Sequence, residues 1–251
     1  RVKLLRKRDY INANWVPMMT CTTTNTAIPA SSSETSQYFI NTQAPTSDTL
    51  EHFWAMVWQQ RISLIVMLTQ ELEQGRTRAD RYWPQHAGLD EHYGDYSLHL
   101  TQQYSALAGT CSIRVLMLRS AQSNETRAIY HLQYLMWPDR GVPTDCLSFL
   151  RLLDMTRLLH AKLRGPLCVM CSAGIGRTGT FTALYALMLH VLAGQHCCNI
   201  AKLVHHLRLY RPGSVQTLAQ YQFIYQAATW VQRIYSSNQS ESSAKQVTLA
   251  R

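Results

Sequence analysis

The spacing of hydrophobic residues changes along the chain between two periods, and each period predicts a different kind of element. Short apolar runs at residues 38–41, 62–68 and 167–170 are typical of strands, the last two of buried ones. Three further segments alternate apolar and polar residues and therefore predict antiparallel strands, with a hairpin near residues 120–125. These alternating segments cover residues 96–102, 112–118 and 128–136.

Elsewhere the apolar residues recur at helical spacing. The segment at 178–193 is apolar on nearly every side, which is typical of a buried central helix, and it is too short to span a bilayer. A polar tract at 21–36 predicts a loop between two strands, and the polar residues from 236 onward predict a disordered tail. The predicted helices cover residues 50–60, 145–163, 178–193, 200–210 and 217–235.

Composition fits one folded domain of mixed α/β type. The chain has 251 residues, of which 46% are apolar, so it is long enough to bury a sizeable core. Its net charge is +9, and from Met155 to Ser240 the sequence contains eight Lys or Arg but no Asp or Glu. This balance suits an anionic ligand. The lack of long Lys/Arg runs and of zinc or RNA-binding motifs argues against a nucleic-acid partner.

The cysteines bear on the cellular compartment. Their number, seven, is odd, and their pattern argues against a disulfide framework or a zinc site. Free thiols imply a reducing compartment. No apolar run reaches the roughly 18 residues of a membrane span, and the N-terminus does not resemble a signal peptide. We therefore expect a cytoplasmic location.

The predicted strand at 167–170 ends at Cys171 and leads through a glycine-rich turn into the helix that begins near Arg177. Successive backbone N–H groups of such a turn, together with the N-terminus of the helix, form a concave site for an anion. The turn is therefore predicted to bind phosphate. The residues predicted to contact the phosphate are Ser172, Ala173, Gly174, Ile175, Gly176 and Arg177.

Cys171 and Arg177 are the candidate catalytic residues of this turn. The amides and the helix dipole that hold an anion also favour the thiolate form of Cys171, which is predicted to be a nucleophile. Arg177 offers a planar fork to two phosphate oxygens and to the charge of the transition state. The glycines of the turn also fit the dinucleotide pattern G-x-G-x-x-G, but that fold needs an acidic residue about 20 positions later, and none follows.

Residues 171–179, Cys-Ser-Ala-Gly-Ile-Gly-Arg-Thr-Gly, closely resemble the signature loop of the protein tyrosine phosphatases. Other blocks resemble the same family in the same order, so the resemblance extends from residue 9 to about 225. It implies a phosphatase-like fold in which a twisted mixed sheet is flanked by helices. The blocks are Asp9–Asn14, Thr42–Pro45, His52–Trp58, Tyr82–Pro84, Trp137–Asp139 and Gln216–Tyr221.

The resemblance implies a single domain over residues 1–235, without the N-terminal part of the family domain, and a polar tail over 236–251. The implied reaction is hydrolysis of phosphotyrosine in proteins through a cysteinyl-phosphate intermediate, with no metal or cofactor. Asp139 contacts the substrate, protonates the tyrosyl oxygen and then deprotonates the attacking water. Gln216 and Gln220, one helical turn apart, place that water, and Gln216 also contacts the substrate. Thr178 hydrogen-bonds the sulfur.

Three features depart from the family pattern. Met170 stands where the family nearly always has a histidine that orders the loop and helps to keep the thiol ionised. Methionine cannot donate a hydrogen bond, so weak activity is expected. Arg78 stands where a lysine usually approaches the acid loop, and arginine changes that geometry. The substrate-reading Asn-Arg-Tyr segment that the family places before Asp9 is missing, which puts substrate selectivity in doubt.

Two other functions stay open. Met170 and the missing segment favour an impaired phosphatase that binds phosphotyrosine without turnover, whereas intact Cys171, Arg177 and Asp139 favour the enzyme. A phosphatase acting on phosphoinositides or phosphoserine would share Cys-x5-Arg, although the tyrosine-specific blocks weigh against it. The expected partners are phosphotyrosine-containing proteins, and the domain is either a soluble enzyme or the cytoplasmic part of a receptor.

Overall fold

A computed structural model describes residues 1–5, 9–19, 37–123, 125–138, 141–195 and 198–248, and over 236–248 it describes the backbone alone. Within these residues there are ten strands and five α-helices. The strands are β1 (Ala13–Pro17), β2 (Tyr38–Gln43), β3 (Leu64–Met67), β4 (Leu72–Glu73), β5 (Arg76–Thr77), β6 (Asp90–Tyr93), β7 (Tyr96–Ala106), β8 (Cys111–Ser120), β9 (Thr126–Tyr134) and β10 (Leu167–Cys171). The helices are α1 (Leu50–Gln59), α2 (Cys146–His160), α3 (Gly176–Leu192), α4 (Ile200–Tyr210) and α5 (Leu218–Thr248).

Eight of the strands form one mixed sheet in the order β1-β2-β10-β3-β9-β8-β7-β6. The four central strands β2, β10, β3 and β9 run parallel, and antiparallel strands extend the sheet on both sides. β4 and β5 pair in a separate two-stranded ribbon. The predicted mixed sheet flanked by helices is therefore confirmed.

The strands predicted from apolar runs and alternation are all present, with shifted ends. The antiparallel strand β7 is longer than predicted, because its exposed polar end continues the backbone pairing where no core face demands apolar residues. β6, with the sequence Asp-Glu-His-Tyr, was not predicted, because a short charged strand at the sheet edge has neither signal. The predicted loop at 21–36 lies outside the described residues.

The predicted helices are also present. α4 has the predicted ends, Ile200 and Tyr210. α5 continues to Thr248, so its predicted end at Tyr235 is wrong, and residues 236–248 are helical where a disordered tail was predicted. That segment contains no Gly or Pro, so its backbone can continue a helix that packing has already started. No helix in the described part of the chain combines the length and apolar content that crossing a membrane requires.

Two layers of buried side chains cover the two faces of the sheet. One layer joins the sheet to α2, α3 and α5 and includes Phe149, Phe181 and Phe223. The other joins it to α1 and includes Trp54 and Tyr82. The central strand β10 is buried along its whole length, as a parallel strand covered on both faces must be.

The parallel strands position the candidate site. Their carboxyl ends lie at one edge of the sheet, where ligands bind in open α/β folds. The segments that leave this edge are Ala44–Pro45 after β2, Leu68–Glu73 after β3, Leu135–Pro138 after β9 and the predicted phosphate-binding turn after β10.

Candidate active site

Cys171 is the last residue of β10 and lies at the edge where the four segments meet. The amide of Ala44 donates hydrogen bonds to the carbonyl of Cys171 at 2.8 Å and to that of Ser172 at 3.2 Å, which fixes the end of the strand. Cys171 is 4% exposed and lines a cavity of about 340 Å³. The other predicted site residues that line this cavity are Ser172, Ala173, Gly176, Arg177, Gln216 and Gln220.

The turn after Cys171 requires a glycine at position 174. Gly174 has a φ of +67°, and a Cβ there would lie 2.2 Å from the carbonyl oxygen of Thr42. Other side chains are therefore excluded both by backbone conformation and by space. Further along the turn, the carbonyl of Ile175 accepts hydrogen bonds from the amides of Gly179 and Val215, at 3.0 and 3.1 Å. The turn is thus attached to the sheet on one side and to the α4–α5 connection on the other.

Arg211 connects the turn to β1 through three hydrogen bonds. Its guanidinium donates to the carbonyls of Gly174 at 2.6 Å and Ala173 at 3.2 Å, and to Asn14 Oδ1 at 2.6 Å. Arg211 is 4% exposed, and burial lowers the pKa of its guanidinium. Because both carbonyls are turned toward Arg211, it helps to fix the orientation of the peptide groups that form the predicted phosphate cradle.

Arg177 forms a forked ion pair with a carboxylate from a neighbouring loop. Its Nη1 lies 2.6 Å from Glu73 Oε1 and its Nη2 lies 2.8 Å from Glu73 Oε2. Nη1 also donates to the carbonyl of Leu68 at 3.1 Å, and Nη2 to that of Pro138 at 3.2 Å. These four hydrogen bonds hold the guanidinium in one plane beside the cavity.

Glu73 is itself strongly held. Its Oε1 accepts hydrogen bonds from the hydroxyl of Thr69 at 2.8 Å and the amide of Gln70 at 3.1 Å. Burial alone would raise the pKa of Glu73, but the hydrogen bonds from Arg177, Thr69 and Gln70 outweigh burial and lower it from 4.5 to about 2. Arg78, which also lines the cavity, lies 3.8 Å from Glu73. Glu73 therefore stays ionised and keeps Arg177 oriented.

Gln216 and Gln220 lie together above the turn. Gln220 Oε1 accepts hydrogen bonds from the amides of Gln216 at 2.9 Å and Thr217 at 3.2 Å, so it caps the start of α5. A Cβ at Gly176 would lie 2.9 Å from Gln220 Nε2 and 3.2 Å from Gln216 Oε1. The two predicted glutamine amides therefore approach the phosphate-binding turn closely only because position 176 has no side chain.

The predicted acid Asp139 lies outside the described residues, whereas the positions that flank it are described. Trp137 is buried against Phe149 and Phe223, with ring centroids 5.3 and 6.4 Å apart. Its indole N–H donates to the carbonyl of Gly141 at 3.2 Å, and Gly141 lines the cavity that holds Cys171. The segment that carries Asp139 therefore starts at Pro138, whose carbonyl accepts a hydrogen bond from Arg177, and ends at Gly141 in the cavity of Cys171.

Two expectations from the sequence need correction. Thr178 is fully buried, and its hydroxyl has no hydrogen-bond partner among the described residues, so the expected bond to the sulfur is not observed. Cys168 and Cys171 form a C-x-x-C spacing, a kind of pair that the cysteine pattern was expected to lack. Three positions apart on a strand, the two side chains point to opposite faces of β10 and belong to different core layers.

Sequence reasoning missed three contributors to the site, Glu73, Arg211 and Asn14. Arg211 stands in the Arg-Pro-Gly break between two predicted helices, where a buried arginine gives no periodic signal. Glu73 lies in a two-residue strand that no pattern predicted. Each becomes visible only when distant segments meet. Among the described residues, no cluster of three or more His, Cys, Asp or Glu side chains is arranged to hold a metal ion.

Comparison with known proteins gives consistent relatives. The chain is 38% identical over 225 residues to Tyrosine-protein phosphatase 2 of Dictyostelium discoideum, a match that covers 87% of this chain and 54% of that protein. It is 36% identical over 220 residues to Receptor-type tyrosine-protein phosphatase eta of Homo sapiens, covering 87% of this chain and 15% of the receptor. It is 31% identical over 226 residues to Tyrosine-protein phosphatase non-receptor type 20 of Rattus norvegicus, covering 90% and 50%.

The chain therefore spans about half the length, or much less, of the curated relatives it matches. A family model described as protein-tyrosine phosphatase matches residues 1–230, which is most of the chain. The match includes all four segments at the carboxyl edge of the sheet and the cavity that contains Cys171 and Arg177. The chain belongs to the protein-tyrosine phosphatase family.

Proposed function

We propose that this chain hydrolyses phosphotyrosine in proteins through a cysteinyl-phosphate intermediate. The observation that carries the proposal is the cavity of about 340 Å³ that contains Cys171 at the end of β10 together with Arg177. A thiolate at this position meets the phosphorus of a bound phosphate ester, and the amides of residues 172–177 surround the phosphate oxygens. The mechanism uses no metal and no cofactor.

In the first step, Cys171 Sγ attacks phosphorus, an S–P bond forms and the bond from phosphorus to the tyrosyl oxygen breaks. Asp139 gives its proton to that oxygen, so neutral tyrosine leaves. Arg177 stabilises the charge on the equatorial oxygens, and Glu73 and the Pro138 carbonyl keep its guanidinium in plane. Asp139 thus acts on the leaving oxygen, and Arg177 acts on the equatorial oxygens of the transferring group.

In the second step, water attacks the phosphocysteine. Asp139, now a carboxylate, takes a proton from this water, an O–P bond forms, and the S–P bond breaks to regenerate the thiolate. Gln216 and Gln220 hold the water, a role supported by their shared approach to Gly176. Inorganic phosphate leaves the cavity.

A second function, capture of phosphotyrosine without turnover, is favoured by Met170. This residue is fully buried in the strand directly before Cys171 and supplies no proton donor to the turn. The phosphate cradle does not depend on Met170, because Arg211 and Ala44 hold it. Binding without hydrolysis would therefore follow if Cys171 were poorly ionised.

The substrates that we propose are phosphotyrosine-containing proteins, and the compartment is the reducing cytoplasm. The described cysteines Cys111, Cys146, Cys168 and Cys171 are free thiols. A nucleophilic thiol needs reducing conditions to persist. Relatives of both receptor and non-receptor type match the chain, so the domain serves as a soluble enzyme or as the cytoplasmic part of a receptor.

The test is a phosphate-release assay on phosphotyrosine peptides, with phosphoserine peptides and a phosphoinositide as comparison substrates. The wild type should release phosphate from phosphotyrosine peptides. Cys171→Ser should abolish release and keep peptide binding, because the amides and Arg177 are unchanged while the nucleophile is lost. Wild-type binding without release would favour the capture function, and release that persists in Cys171→Ser would remove Cys171 from its role.

A further inference from the structure

A chain of buried polar groups ends on Met170, the residue directly before the candidate nucleophile. The hydroxyl of Tyr82 lies 3.1 Å from Met170 Sδ, 3.5 Å from Met67 Sδ and 2.7 Å from His131 Nε2. All four side chains are fully buried. Because these side chains are fully buried, their polar atoms must find hydrogen-bond partners within the protein.

The chain of hydrogen bonds has a fixed direction. Arg114 Nη1 lies 3.2 Å from His131 Nδ1, and a guanidinium can only donate, so Nδ1 is the acceptor. Burial, and then the charge of Arg114, hold the pKa of His131 well below its usual range, so the ring is neutral. Its one proton is therefore on Nε2 and is donated to the oxygen of Tyr82. The hydroxyl proton of Tyr82 is left to point at the nearer thioether, that of Met170.

Arg114 gives this chain a charged origin. It is 6% exposed, donates to Gln103 Oε1 at 3.1 Å and to Gln133 Oε1 at 3.0 Å, and lies 4.3 Å above the ring of Trp83. In the described ranges, the hydrogen-bond partners of Arg114 are neutral side chains, Gln103, His131 and Gln133. A cation at one end polarises each hydrogen bond that follows, so the hydroxyl of Tyr82 becomes a better donor than an isolated phenol.

The backbone passes this constraint to Cys171. Met170 and Cys171 point to opposite faces of β10 and belong to different core layers, so the two side chains do not meet. The carbonyl of Met170 accepts a hydrogen bond from the amide of Leu68 at 2.9 Å, and Met170 pairs with Thr42 and Met67 in the sheet. A side chain that is fixed at position 170 therefore fixes the peptide group from which Cys171 begins.

We propose that Tyr82 is a positioning residue for Cys171 and acts through its hydrogen bond to the thioether of Met170, with His131 and Arg114 setting the direction of that bond. Position 170 is thus an acceptor site. Methionine and neutral histidine both accept from Tyr82, whereas leucine, of similar volume, does not. Only the turnover measurement rests on the proposed phosphatase function. The reactivity of the Cys171 thiol can be measured without any substrate.

The experiment compares Met170→Leu and Met170→His in the wild-type and Tyr82→Phe backgrounds. The rate of alkylation by iodoacetamide is read on the Cys171 peptide by mass spectrometry, and kcat and KM are measured with a phosphotyrosine peptide. Met170→Leu should lower the alkylation rate and kcat about 3- to 10-fold with KM nearly unchanged, the effect of about one hydrogen bond. Met170→His should keep or raise both. In the Tyr82→Phe background, the difference between leucine and histidine should vanish.

Met67→Leu is the matched control. Its thioether contacts the same hydroxyl, but Met67 lies on β3 and does not precede the nucleophile. Met67→Leu removes a similar weak contact from the same core layer, so it should lower thermal stability about as much as Met170→Leu. Because Met67 is not adjacent to Cys171 in the chain, the alkylation rate should change less than about 2-fold.

Three outcomes would overturn the proposal: equal alkylation of the leucine and histidine variants, a difference that survives in the Tyr82→Phe background, or an equal effect of Met67→Leu. Should Tyr82→Phe fail to fold, the two single variants at Met170 and the Met67 control still decide. Wild type that is alkylated as expected but releases no phosphate would refute the proposed hydrolysis and leave the positioning role standing.

Discussion

The phosphate-binding turn and the acid segment border the same cavity, but different forces hold them. The turn is fixed by polar contacts to rigid elements: Arg211 binds two of its carbonyls, Ala44 binds the end of β10, and Val215 binds the carbonyl of Ile175. The described flanks of the acid segment are held by the packing of Trp137 and by two hydrogen bonds, those that reach the carbonyls of Pro138 and Gly141.

This difference assigns separate tasks to the two regions. A cradle whose amides are already oriented binds charge without reorganisation, which is the requirement for stabilising a phosphoryl transition state. An acid needs to approach only when the leaving oxygen is in place. Arg177 belongs to both regions, because it lies in the first turn of α3 and also donates to Pro138 and Glu73. Variants at the shared residue should therefore have larger effects than variants in either region alone.

Arg177→Ala is expected to have the largest effect among the variants that distinguish the two regions. It removes the clamp on the phosphoryl oxygens, so kcat/KM should fall about 10³- to 10⁵-fold, the range for an arginine that stabilises such a transition state. It also leaves the buried carboxylate of Glu73 with only the more distant Arg78, 3.8 Å away, so the fold should be destabilised by about 3 to 5 kcal/mol. Phosphate release and denaturant unfolding measure the two effects.

A double variant separates these effects. Arg177→Ala with Glu73→Gln should recover much of the lost stability, because no buried charge remains, and should recover none of the activity. Recovered activity would mean that Arg177 acts on the reaction only through the fold.

Asp139→Ala tests the acid segment alone. It should lower kcat for phosphotyrosine about 10²- to 10⁴-fold, the usual contribution of a positioned acid, and leave phosphopeptide affinity nearly unchanged because the turn is untouched. Aryl phosphates whose leaving groups have a low pKa need no proton and should lose less. Equal losses on esters of high and low leaving-group pKa would contradict the assignment.

Arg211→Met tests the turn alone. It leaves two buried carbonyls and Asn14 without their donor, so stability should fall by about 2 to 4 kcal/mol and phosphopeptide binding should weaken. Arg208→Met is the matched control, because Arg208 is exposed and also donates to two backbone carbonyls, at Ser214 and Val215. Similar losses of stability and phosphopeptide affinity in both variants would show that burial of Arg211 is not what fixes the turn.

The pH dependence of Glu73 should give the smallest effect. Its pKa in the folded protein is lowered from 4.5 to about 2, so the carboxylate stabilises the fold above pH 4.5, and this contribution is lost as the pH falls toward 2. Glu73→Gln should cost about 1 to 3 kcal/mol at neutral pH and progressively less below pH 4.5. Unfolding curves from pH 7 to pH 2 measure the difference.

Glu125→Gln serves as the control for that pH series. Glu125 pairs with Arg127 at the surface, where solvent screens the interaction, so its replacement should leave the curve unchanged. If the difference in unfolding free energy between wild type and Glu73→Gln stayed constant across the acid range, the contribution of Glu73 to stability would not come from its charge.

The local parts of the candidate active site follow from residues that are neighbours in the sequence. The apolar run of β10, the glycines of the turn and the apolar α3 are consecutive, so their strand-turn-helix form follows from near-neighbour preferences, and Cys171 and Arg177 are set six positions apart within it. Gln216 and Gln220 lie one helical turn apart for the same reason. Their placement together at one cavity could be predicted only through the resemblance to a family.

The distant groups that support these parts are identified by the folded chain and not by any local pattern. Glu73 reaches Arg177 across 104 positions of sequence, Arg211 reaches Asn14 across 197, and Tyr82 reaches Met170 across 88. Glu73, Arg211 and Tyr82 each bury a polar group, which breaks the apolar periodicity that makes an element predictable. Each gains its partner only when the sheet brings distant strands together. Local patterns encode the element, whereas pairing of buried charge depends on the register of strands that only the complete fold establishes.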